Sequence, residues 1–358
     1  MTIDPNVELL ADIPITAPEE DWLDRGRIAQ RLIELAVVGP PTAPRVVALT
    51  GEPGAGKSSV LRMVAARLGE APGVALISID AATHASAAAV NSALVGDLTK
   101  LFAEAGVIEA ADKIRNTLTS YGGFIGSVVR LAGVKVDVAG ALERSPEAMR
   151  AELAENIEQL GRRIVIVLDH VDRLSPAEVG SVLAAQRLYS ALPFVAVVIA
   201  LDRHGLVVEQ ARNPGSDPLA FERMIQVELA LPPAPRALLA RVMYSGLERI
   251  ANRTKYDLDA VIPLFDPVGG IAMDLVRTPR DAKRAINALA AAIPLATGDP
   301  VALTLEVMLR VLVPEIDPAR LDARHRTSER AALYAELADP LTGPRATAAK
   351  AALRALIP

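Results

Sequence analysis

The chain has no cysteine. Disulfides, cysteine-ligated zinc and thiol catalysis are therefore excluded, and a cytoplasmic address is expected. Aromatic residues make up 3% of the 358 positions, too few for the stacking platforms that hold single-stranded nucleic acid. Basic excess is also missing. The formal net charge is −5, so no global field draws the protein onto a phosphate backbone. The four histidines, His84, His170, His204 and His325, are scattered and give no metal-cluster spacing. The longest apolar stretch, 121–134, is interrupted by Arg130 and falls short of the ~18–20 residues that cross a bilayer. No transmembrane segment is expected, and the acidic N-terminus lacks a signal-peptide pattern.

What is present is a large apolar fraction, 51%, with a mean hydropathy of +0.30. Much of it is alanine, which favours helix over membrane insertion and suits a well-filled core. Short apolar runs alternate with helical patterns. Strands are expected at 45–50, 74–80, 163–169, 194–201 and 224–231. Helices are expected at 19–38, 58–68, 87–119, 146–160 and 176–190, and through most of the chain beyond 232. Alternating valines at 134, 136 and 138 suggest a further strand or hairpin. Strands interleaved with helices predict an α/β fold, a three-layer parallel-sheet core with a C-terminal α-helical lid domain. The expected division is a lead-in segment and helix at 1–44, a core at 45–231 and a helical domain at 232–358.

Between the first strand and its helix lies Gly51-Glu52-Pro53-Gly54-Ala55-Gly56-Lys57-Ser58, which satisfies G-x-x-x-x-G-K-[ST] at every fixed position. Such a loop turns backbone N–H groups onto phosphates. Glycines are needed where a Cβ would clash or φ is positive, and the following helix N-terminus adds its dipole. Lys57 is expected to reach the β- and γ-phosphates and Ser58 to ligate Mg2+, with Ser59 beside them. The strand 163–169 ends in Asp169, a carboxylate at the sheet edge suited to holding the same Mg2+. ATP is preferred over GTP because the only base-reading match, Thr254-Lys255-Tyr256-Asp257, falls in a helical region and not at a strand end.

Further residues resemble one family, the KAP group of P-loop NTPases, over about 12–290. They are Asp21-Trp22-Leu23-Asp24-Arg25, the phosphate loop, Asp169-His170-Val171-Asp172-Arg173-Leu174, Phe221 to Gln226, and Thr278-Pro279-Arg280-Asp281-Ala282-Lys283-Arg284 with Asn287. The last resembles the family's PR-x-x-KR-x-x-N element and is the more specific sign. Three departures stand out. Pro53 replaces a usual tryptophan, His170 replaces the second aspartate of Asp-Asp-Leu-Asp-Arg, and the stretch 100–145 is too short for the membrane spans that many members insert.

The resemblance implies ATP binding with Mg2+ and a role in signalling, membrane-associated scaffolding or bacterial defence. The replaced carboxylate normally polarises the attacking water. Asp172 is therefore the alternative base, and turnover is expected to be slow or conditional. Asp202 follows a strand and is either a γ-phosphate sensor or a strand-end cap. Arg223 is an arginine finger or a surface ion pair. Arg280 reads phosphate from the lid or packs on the sheet edge, and Arg25 lies near the nucleotide or in solvent. The expected function is a slow or partner-stimulated ATPase switch. The alternatives are a nucleotide-stabilised oligomeric scaffold and, less favoured, a DNA-acting AAA-like ATPase. Another protein or a second copy of the chain is the expected partner.

Overall fold

The computed structural model describes residues 9–15, 18–38, 45–107, 111, 146–190, 192–203, 225–252, 254, 256–295, 298–322 and 330–357. The expected strand or hairpin at 134–138 and Arg223 lie outside them. The chain divides into two compact units, Pro14–Pro232 and the start of the chain to Ile13 together with Pro233–Pro358.

The first unit is built on five strands, β1 (Val46–Thr50), β2 (Val74–Asp80), β3 (Arg163–Asp169), β4 (Val195–Leu201) and β5 (Val227–Ala230). Every pairing is parallel and the order is β2-β3-β4-β1-β5. The central strands are buried on both faces, which is why they read as unbroken apolar runs. Side chains still alternate between two cores. Val47, Leu49, Val165 and Val167 face α1 (Gly26–Val37) and α2 (Lys57–Gly69). Val46, Ala48, Ile164, Ile166 and Leu168 face the opposite layer. That layer is made by α3 (Ala87–Glu104), α4 (Pro146–Leu160) and α5 (Pro176–Ser190).

The helix expected from residue 19 begins later. Pro18–Glu20 makes one 3-10 turn, and the Asp21 carboxylate accepts the N–H groups of Arg25 at 2.9 Å and Gly26 at 2.7 Å. Asp24 adopts φ 52°, a left-handed conformation that no helix interior tolerates. Glu19, Glu20, Asp21 and Asp24, which fall inside the expected helix, thus form the turn before it.

Among its described residues the second unit contains helices and no strand. Its main elements are α6 (Arg236–Ala251), α7 (Pro279–Ala292), α8 (Pro300–Leu312), α9 (Arg330–Ala338) and α10 (Ala346–Leu356). Thr278 caps α7 in a full capping box with Asp281, and Pro279 occupies its first turn. Helices α6 and α7 approach closely at Gly246, where an added Cβ would lie 2.6 Å from Ile286 Cδ1.

Gly246→Ala is expected to lower the melting temperature through overpacking worth ~1–3 kcal/mol. Gly180→Ala, in an open position on α5, is expected to raise it slightly, since alanine is the better helix former by ~1 kcal/mol. Scanning calorimetry on the two variants checks both signs.

Candidate nucleotide site

Because the strands are parallel, their last residues gather at one edge. Thr50 ends β1, Asp80 ends β2, Asp169 ends β3 and Leu201 ends β4. Asp80 and Asp169 are register partners. Strand β4 separates β1 from β3, so the loop after β4 lies between the phosphate loop and Asp169. Open parallel sheets take ligands outside such carboxyl ends.

The loop after β1 is anchored by the Gly51 N–H on the Leu201 carbonyl, 3.3 Å, and by the Ala55 N–H on the Glu52 carbonyl, 3.1 Å. Gly54 and Gly56 hold φ of 81° and 105°, values that side chains oppose, and Ala55 is buried between them. Glu52 and Pro53 are exposed. Helix α2 then starts at Lys57, so its first N–H groups point out of the helix beside the loop. The Lys57 ammonium donates to the carbonyls of Gly51 at 2.7 Å and Glu52 at 3.3 Å, and lies 3.9 Å from Asp172 Oδ2. Ser59 Oγ is occupied differently and accepts the Ile15 N–H at 3.3 Å.

His170 joins two strands to the loop. Its backbone takes φ 55°, and its N–H donates to Asp169 Oδ1 at 2.8 Å. Its ring places Nε2 3.2 Å from Ser58 Oγ and Nδ1 2.9 Å from Asp80 Oδ1, with Asp169 Oδ2 at 3.6 Å. Asp172 Oδ2 accepts the Asp202 N–H at 2.9 Å. One carboxylate therefore ties the loop after β4 to Lys57. On the other side Thr50 donates to Glu228 Oε1 at 2.9 Å, and Arg203 pairs with Glu228 Oε2 at 2.8 Å. Asp80 and Glu228 were not among the residues expected here. Asp80 had a sequence signal, since VALISID closes on an aspartate just as RIVIVLD does.

The family model described as the KAP family P-loop domain matches residues 25–295. The chain belongs to the KAP family of P-loop NTPases. A curated relative, the phage T7 exclusion protein of Escherichia coli strain K12, is 26% identical over 192 residues. That alignment takes in 48% of this chain and 24% of the relative, so the chain spans about a quarter of the relative's length. Among solved structures, the Cdc6p of Pyrobaculum aerophilum is 15% identical with a TM-score of 0.44, covering 96% of this chain and 81% of that one. The Aeropyrum pernix ORC1 protein, in a structure with DNA, is 19% identical with a TM-score of 0.41, covering 87% and 70%. No helix among the described residues is long and apolar enough to cross a membrane.

The KAP-like elements outside the loop have identifiable partners. Arg25 is buried and donates to the Pro232 carbonyl at 2.6 Å. Burial pushes its guanidinium below the usual arginine range, with Asp21 opposing the shift. On α7, Arg280 Nε pairs with Asp12 at 2.7 Å, Lys283 donates to the Ala11 carbonyl at 2.9 Å, and Asn287 exchanges two hydrogen bonds with the Leu10 backbone. These positions share one helix face, so the PR-x-x-KR-x-x-N element grips residues 10–12 of its own chain. Arg284 donates to the Val311 carbonyl at 3.0 Å. The resemblance to a GTPase base-reading motif dissolves into local structure. Thr254 bonds the Ile250 carbonyl, Tyr256 bonds the Pro300 carbonyl, and Asp257 caps a short helix.

Arg25→Ala is expected to destabilise the nucleotide-free protein by ~1.5–3 kcal/mol, because a buried charged donor and its carbonyl acceptor are separated. Chemical denaturation without ligand checks this. A denaturation midpoint equal to the parent's would place Arg25 outside the fold's support.

Proposed function

We propose that this KAP-family chain binds ATP with Mg2+ at the phosphate loop and acts as a slow or partner-stimulated ATPase, a nucleotide-dependent switch. The observation that carries the reading is the position of Lys57. Its ammonium rests on the loop's own carbonyls and beside Asp172, a set of weak neutral acceptors and one carboxylate that a phosphate group can outcompete.

The residues also suit the ligand. The left-handed Gly54 and Gly56 leave the backbone of 51–56 free to curl around phosphates. Ser58 and Asp169 offer hard oxygen donors of the kind Mg2+ takes. When bound, Mg2+ supplies charge neutralisation on the phosphates. The chain's own residues then position and exclude. Gly51, Glu52, Pro53, Gly54, Ala55, Gly56 and Lys57 cradle the phosphates through backbone N–H groups and the ammonium, with Ser59 and Arg25 supporting the loop and its flank. Asp172 receives its contacts on Oδ2, so Oδ1 is the oxygen that would accept the proton of an attacking water. Arg223 and Arg280 are the candidate arginines for transition-state charge. Arg280 must first release Asp12, because one guanidinium fork cannot serve both acceptors fully.

His170 favours a second reading, a nucleotide-stabilised scaffold with little hydrolysis. An imidazole ring tied to Ser58 and Asp80 replaces the carboxylate that would polarise water. A DNA-acting role is weaker, opposed by the net charge and scarce aromatics. The relative's name adds phage exclusion as a candidate pathway, consistent with a bacterial, cytoplasmic defence protein.

Phosphate release by the purified protein, with and without DNA and with native mass recorded, separates these readings. Lys57→Ala is expected to weaken binding of a fluorescent ATP analogue about ten- to hundred-fold, the worth of a charge-assisted contact of ~1.5–3 kcal/mol. Unchanged affinity would remove the loop assignment. Asp172→Asn is expected to keep affinity near the parent's and lower any turnover. Hydrolysis at the parent rate would dismiss Asp172 as the base.

A further inference from the structure

The residues around Ser58 hold an acceptor that a Mg2+ site does not call for. Asp80 Oδ1 lies 2.9 Å from His170 Nδ1. A carboxylate can only accept, so Nδ1 carries the proton that Asp80 takes up. The second ring nitrogen, Nε2, faces Ser58 Oγ at 3.2 Å, and its lone pair is what a cation there would take up. This is the order carboxylate, imidazole, ligand position found behind metal-binding histidines, where the carboxylate sets the tautomer and raises the basicity of the metal-facing nitrogen.

Distance makes the comparison quantitative. Two neighbouring ligands of an octahedral cation at ~2.1 Å lie about 3 Å apart. Ser58 Oγ and His170 Nε2 are already at that separation. They do not make a site by themselves, since the described residues include no cluster of three or more histidine or acidic side chains able to hold a metal. Phosphate oxygens must complete it. The serine-histidine-aspartate order also occurs in nucleophilic hydrolases. Here, however, Ser58 stands in the first turn of α2 behind a phosphate loop, next to a lysine, where a metal-bound hydroxyl has more to do than a nucleophile.

We propose that His170 Nε2 is a ligand, together with Ser58, of the divalent cation that arrives with the nucleotide, and that Asp80 positions the ring. Imidazole nitrogen binds first-row transition cations better than it binds Mg2+, by the smallest margin for Mn2+ and by more for the later ones. The site is thereby tilted from Mg2+ toward transition-metal cations. This rests on the nucleotide-binding reading above.

The probe is Mn2+ with a non-hydrolysable ATP analogue, added to full-length protein carrying 15N-labelled histidine. Pulsed electron paramagnetic resonance reads two couplings independently. A 31P coupling together with protein-dependent immobilisation of the Mn2+ reports nucleotide in the loop, and a 15N coupling reports histidine on the metal. Both are expected in the parent. His170→Asn tolerates the left-handed backbone and is expected to keep the 31P signal, lose the 15N signal and weaken Mn2+ binding more than Mg2+ binding. Asp80→Asn is expected to reduce the 15N coupling without abolishing it. A 31P signal with no 15N coupling in the parent, or a 15N coupling that survives His170→Asn, overturns the proposal and leaves the nucleotide reading standing. Absence of protein-bound Mn2+ and nucleotide from the parent overturns both.

Discussion

Parallel pairing in one register is the constraint on which the first unit depends. A parallel sheet has chemically distinct ends, and every strand delivers its last side chain to the same one. Asp80, Asp169 and the residues after Thr50 and Leu201 meet there because β1 to β4 end together, not because they are near in sequence. The two buried faces of the sheet hold that register. A slip of one residue would exchange the side chains of the two cores, placing Val47 and Leu49 where Val46 and Ala48 belong.

From that edge the polar contacts spread sideways. Asp172 links Lys57 to the loop after β4, His170 links Ser58 to the end of β2, and Glu228 links Thr50 to Arg203. Each is a partly exposed side chain whose partner lies on a different strand or loop. Their individual worth in the resting protein is small, as is usual for such pairs. Their consequence is positional, since each ties one loop at the carboxyl edge of the sheet to a neighbouring strand or loop. The second unit uses the same economy. One face of α7 holds residues 10–12 through two backbone carbonyls, one backbone N–H and one carboxylate.

Local chemistry explains where the sequence could be read directly. The strands Val74–Asp80 and Arg163–Asp169 and the helices Pro146–Leu160 and Pro176–Ser190 have the limits that apolar runs and proline starts suggest. The family, too, was visible in short motifs, of which the element from Pro279 to Asn287 is the more specific. The helix start at Gly26 was less legible, since an aspartate that caps a turn and an aspartate inside a first helical turn look alike in sequence.

Sequence alone determined the class of the protein. Glycine spacing, a lysine and a serine opening a helix, and an aspartate ending an apolar strand are each local requirements of phosphate binding. Tertiary structure decided which side chains serve which partner. Asp80 stands 90 residues from His170, and Asn287 stands 277 from Leu10; no local pattern encodes such pairs. Arg25 and Arg280 show the same limit from the other side. An arginine in a family motif has the chemistry to bind phosphate, and the fold also brings Arg25 to the Pro232 carbonyl and Arg280 to an aspartate from the other end of the chain. Charge type is written in the residue, while its partner is set by which backbone and side-chain groups the fold brings within hydrogen-bonding distance.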